Sequence, residues 1–99
     1  MESKLTHQEF AGLVNTVFRV KLADDNQVDV ELTEVSAVQL FPGQEQFSII
    51  FRGPTNAFLG QGIRPFEHEQ MGEFALFIVP ISQDSKGYYY EAVFNRLSR

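Results

Sequence analysis

Ninety-nine residues, 43% of them hydrophobic and 21% charged, suffice for one domain with one core and are too apolar for a disordered chain. The formal charge is -5, and the 8 Lys and Arg residues are scattered without a run able to track phosphates, which argues against a nucleic-acid partner. The absence of cysteine removes any disulfide framework or thiolate metal site, and no apolar stretch is long enough for a signal peptide or a membrane span.

Thr6-His7-Gln8-Glu9 reads as a capping box in which the Thr hydroxyl takes the Glu9 amide, with Leu5 and Phe10 as its hydrophobic staple. Phe10, Leu13 and Val14 follow at i, i+3 and i+4, one apolar stripe on a helix of about two turns ending near Asn15. So short a helix is unstable alone in water and must plug or flank something apolar.

From there the pattern is period two. Thr16 to Leu22 sets Phe18, Val20 and Leu22 against Val17, Arg19 and Lys21, and Ala23-Asp24-Asp25-Asn26 is a turn cluster. Gln27 to Val38 continues with Val28, Val30 and Leu32 on one face; the parity then slips to Val35 and Val38, which predicts a bulge near Glu34. Leu40-Phe41-Pro42-Gly43 reads as a turn, and Phe47 to Arg52 as a third strand with Phe47, Ile49 and Phe51 aligned. A loop after Gly53-Pro54 tucks Phe58 and Leu59 inward. Ile63 to His68 is a fourth strand, placed at an edge or a bulge by Pro65.

Gly72 to Ile81 is the fifth strand and contains Phe74-Ala75-Leu76-Phe77-Ile78-Val79-Pro80-Ile81, apolar on both faces. Ser82 to Gly87 reads as a polar hairpin connection and Tyr88 to Asn95 as the last strand. Connections this short favour antiparallel neighbours. The predicted fold over residues 1–99 is therefore a single all-β domain, one short helix plus six antiparallel strands, as a small barrel or a two-layer β-sandwich.

Leu5-Thr6 and Phe10, Thr16-Val17-Phe18-Arg19-Val20, Phe51-Arg52-Gly53-Pro54, Gly60-Gln61-Gly62, Glu67-His68, Gly72, Leu76-Phe77-Ile78-Val79-Pro80 and Tyr90-Glu91-Ala92-Val93-Phe94-Asn95 follow in an order that resembles a small bacterial single-domain family of unknown function. The resemblance covers nearly the whole chain. It implies a helix followed by β-strands, no assigned activity, and genes lying beside tail-fibre or tail-collar proteins of phage-like systems. Ile63-Arg64-Pro65-Phe66 departs from the pattern the family sets at that strand.

Few residues invite chemistry. In Glu67-His68-Glu69, adjacent strand residues point to opposite faces, so an imidazole and two carboxylates cannot converge on a metal there; a hydrogen bond from His68 at the strand end is the simpler expectation. Asp24-Asp25-Asn26 is too short for a calcium loop, and Gly60-Gln61-Gly62 opens no helix whose amides could cradle phosphate. No serine stands in a nucleophile elbow, and no nucleophile, base and orienting group line up. Neither catalysis, a metal nor a cofactor is expected. Tyr88-Tyr89-Tyr90 sends two rings one way and one the other, and tyrosine suits interfaces.

If Phe74, Leu76 and Ile78 face the core, Ala75, Phe77, Val79 and Ile81 face away, on the outer parity shared by Val17, Ile50, Tyr89 and Val93. A patch of that size marks an interaction site. The expected function is a non-catalytic protein-interaction or assembly module, an accessory of a phage-tail-like system. It would associate with itself or a protein partner through Ala75, Phe77, Val79, Ile81, Tyr89 and Val93. A cytoplasmic location is expected, with no membrane contact. The alternative is a small-ligand-binding barrel lined by Phe18, Phe47, Phe51 and Phe66, although ten phenylalanines leave six short strands little interior.

Overall fold

In the computed structural model, which describes residues 5–97, the elements are α1 (His7–Ala11), β1 (Val17–Lys21), β2 (Gln27–Val35), β3 (Gln39–Phe41), β4 (Gln44–Gly53), β5 (Gly62–His68), β6 (Gly72–Asp84) and β7 (Gly87–Leu97). Every strand pair is antiparallel. β1 lies between β2 and β5, β5 pairs β6, β6 pairs β7, β7 pairs β4, and β4 returns to β2. That ring is a closed six-stranded barrel, the first of the two predicted architectures. β3 stands outside it, hairpinned onto β4 through Pro42-Gly43.

Alternation sorts the side chains as period two demands. Phe18, Val20, Val30, Leu32, Ile49, Phe51, Phe66, Ile78 and Tyr90 are buried inside the ring. The parity slip in β2 is real: register shifts between Leu32 and Glu34, and the Thr33 hydroxyl donates to the Ile50 carbonyl at 3.2 Å. A second bulge, between Pro80 and Ser82, bends β6.

The Glu9 amide donates to the Thr6 hydroxyl at 3.1 Å, as the capping box requires. The helix is shorter than predicted, because Gly12 caps it after Ala11 and Asn15 (φ 73) turns the chain into β1. Its burden falls on Phe10, wholly buried, whose ring lies 5.4 Å from Phe94, 6.2 Å from Phe74 and 6.4 Å from Phe18. The β6–β7 ladder covers only Val79–Asp84 against Gly87–Glu91, so Phe10 fills the seam below it, between Phe74 of β6 and Phe94 of β7. Replacing Thr6 with Ala should lower the urea midpoint by the equivalent of about 1 kcal/mol, a lost N-cap; an unchanged midpoint would mean that the cap contributes nothing.

Some local expectations need correction. Leu40-Phe41 is not turn but strand, pairing with Gln44-Glu45. β6 runs to Asp84, leaving a tight turn at Ser85-Lys86, because the Asp84 carboxylate accepts the amides of Lys86 (2.8 Å) and Gly87 (3.2 Å). Those amides, Lys86's above all, hold its pKa below the ordinary carboxylate value. Phe58, expected inside, is 58% exposed and stacks edge-on to Tyr88 at 5.0 Å; Leu59 alone turns in, its amide donating to the Tyr90 hydroxyl at 2.9 Å. β5 is not an edge strand, yet its ladder to β1 stops at Phe66, one residue short of Pro65, which has no amide to offer.

Candidate interaction surface

A barrel has one wall. The side chains that β6 turns away from the core therefore have no second sheet behind them, which is what the double-faced apolar run required to be hidden. Phe77 is 51% exposed, Ile81 46% and Val93 49%; Ala75 is exposed, and Val79 and Tyr89 are half-buried. Register extends the set beyond the sequence reading. Ile63 of β5 lies opposite Phe77 and is 73% exposed, and Pro65 lies opposite Ala75. On the other side Val79 faces Glu91 of β7, which in turn faces Ile50 of β4. The outer wall of β5, β6 and β7 is thus largely apolar, interrupted by Glu91.

Polar groups bound the band on both flanks. On the β1 side Arg19 and Lys21 reach Glu67, each at 3.5 Å, and Lys21 also reaches Glu73 at 3.4 Å. On the β4 side Arg52 donates to Glu31 at 2.6 Å. The Tyr89 hydroxyl donates to Asp84 at 2.9 Å, holding the ring over the β7 end of the band. Exposed ion pairs of this kind add little stability. Their effect is to leave the apolar band sharply bordered.

A family model described as a domain of unknown function, DUF6916, matches residues 5–94. The chain belongs to this family. Neither a curated protein nor a solved structure matches it. The DUF6916 match takes in α1, five barrel strands and β7 as far as Phe94, and the whole apolar band lies within it.

Two ionisable side chains are buried among the described residues of this DUF6916 domain, Tyr90 (1% exposed) and His68 (4%), and His68 has a structural task. Its Nδ1 accepts the amides of Gln70 (3.0 Å) and Met71 (3.4 Å), which fixes the proton on Nε2. Nε2 then donates to the Thr16 hydroxyl at 3.0 Å, and that hydroxyl donates to the Leu13 carbonyl at 2.7 Å. The chain stitches the β5–β6 turn to the start of β1. A cleft of about 260 Å³ brings Thr16, Arg19, His68 and Glu69 together, but with Nδ1 occupied and Nε2 protonated the imidazole cannot accept a proton from Thr16. Glu67, His68 and Glu69 diverge as alternation predicts: an outward ion pair, a buried ring and an exposed carboxylate.

Burial, ahead of the nearby Arg19, lowers the His68 pKa from its ordinary 6.5, against the opposing pull of Glu69. The unfolded chain therefore binds this proton first. Stability from His68 is complete above pH 6.5 and is lost as pH falls towards the depressed folded value, at up to about 1.4 kcal/mol per pH unit. Urea unfolding between pH 7 and 5 should show that slope, and His68→Gln should flatten it. An equal slope in both proteins would assign the effect to other groups.

Among the described residues no helix is long and apolar enough to cross a membrane.

Proposed function

We propose that this domain is a non-catalytic protein-interaction module that docks through the outer wall of β5, β6 and β7. The observation that carries the reading is the uncovered band itself, with Ile63 and Phe77 side by side across a strand pair and both at least half exposed. Monomeric domains seldom leave large aromatic and aliphatic groups adjacent in water without a use for them. The barrel interior supports the same choice over a ligand pocket. Phe18 meets Phe51 at 5.2 Å, Phe51 meets Phe66 at 5.1 Å, and Phe47 stacks on Phe94 at 4.7 Å, so these rings are occupied with one another. Resemblance to a family with tail-fibre and tail-collar neighbours suggests a cytoplasmic accessory of a bacterial phage-tail-like assembly as the setting.

A photo-crosslinking phenylalanine analogue at position 77, in the native host, should trap one specific adduct, with a second copy or another protein. The analogue at Asp29, exposed on β2 outside the band, should trap none. Adding Ile63→Glu, at the exposed cross-strand neighbour of Phe77, should abolish the adduct while leaving the urea midpoint near that of the wild type. Equal labelling from both positions, or none from position 77, would remove the band as an interface.

A further inference from the structure

The apolar band has a carboxylate near its middle, and its surroundings define the partner. Glu91 is half-buried on the outer face of β7. Its cross-strand neighbours are Val79 and Ile50, and Tyr89 and Val93 are the next residues on its own face. The nearest cation along these strands is Arg52, opposite Tyr89, and its guanidinium already donates to Glu31. Glu31, Glu67 and Glu73 on the same barrel wall each reach an Arg or Lys. The Glu91 carboxylate makes no hydrogen bond and no ion pair with any described residue.

Such a carboxylate is tolerable only while water reaches it. Covering the band with a purely apolar surface would strip that water and leave a buried charge unpaired, which costs more than the apolar contact gains. We propose that the surface docking here belongs to a different protein and presents an arginine among apolar side chains, the guanidinium meeting Glu91. This rests on the interaction reading above and narrows it. Arginine fits better than lysine because its planar, weakly hydrated head can pair with the carboxylate while lying against the Tyr89 ring. A second copy fits poorly. A twofold axis through the centre of the band would set Glu91 against its own equivalent, with Arg52 already engaged. The formal charge of -5 adds long-range attraction for a cationic partner.

The test uses the full chain, immobilised, against a displayed library of random dodecapeptides. Selected peptides should carry one Arg flanked by apolar residues, and Lys in its place would overturn the choice of arginine. The strongest of them, synthesised, should perturb the methyl resonances of Ile50, Val79 and Val93. Glu91→Gln should weaken it at least about tenfold, the worth of one charge-assisted bond. Glu34→Gln, at an exposed carboxylate on β2, should not. Peptides that perturb the band yet bind Glu91→Gln as tightly would overturn the arginine assignment and leave the interaction surface standing. Perturbation elsewhere, or no enrichment, would count against both. A twofold dimer burying the band at high protein concentration would replace the heterologous partner with a second copy.

Discussion

Gly87→Ala is expected to cost the domain more than about 3 kcal/mol, a large fraction of what a barrel of this size possesses. A Cβ on Gly87 would lie 2.0 Å from the Gly53 carbonyl oxygen and 3.1 Å from its carbon, and Gly87 itself sits at φ +157. The obstacle is backbone, not a side chain that can swing away. Gly53 is held in place by its pairing with Tyr88, and behind it stand the Tyr90 ring and Val30. Relief would require parting β4 from β7 at the first step of the longest ladder in the fold. Gly43→Ala provides the scale. It carries the same type of strain (φ +77) with nothing within 4 Å, and should cost about 1 kcal/mol, the conformational penalty alone. Urea denaturation of the two variants separates the effects; equal small losses would show that β7 can shift away from Gly53.

Phe10→Ala should cost about 3–5 kcal/mol, the range for emptying a buried aromatic site. The cavity would open between Phe74 and Phe94, in the stretch where β6 and β7 have no ladder bonds to hold them together. Phe77→Ala is the matched control, an equal truncation on a half-exposed ring, and should move the midpoint little. A loss below about 1 kcal/mol for Phe10→Ala would mean that the helix rests on the barrel without plugging it.

Much of this was legible in the residues. Alternation located the barrel strands because a two-residue period fixes which side chains share a face; only in β6, apolar on both faces, did it leave open which face turns inward. The Thr6 cap and the β2 bulge were legible for the same local reason. Closure was not, because it rests on β2 meeting β4 and β5 meeting β1, pairings between distant segments that composition does not encode. β3 was lost behind Pro42-Gly43, being three residues long and exposed throughout. The six outward residues read from parity do lie on one wall, but Ile63 and Pro65 join them only through register with β6. Glu91 is not legible in the sequence, because a lone acid among apolar neighbours is visible only once those neighbours are placed across two strands.

The ten-position pairing of β4 with β7 has a consequence for how the protein is made. β7 is the last barrel strand to be synthesised, and without it β4 and β6 both lack a neighbour on one side. Until β7 has emerged from the ribosome the ring stays open, and Phe10 lacks the Phe94 ring it packs against. No closed core exists at that stage. Closing the core therefore waits on β7 and must join segments far apart in the chain, the slow class of topologies. In the interval the phenylalanines destined for the interior lie along an open sheet, covered from one side only.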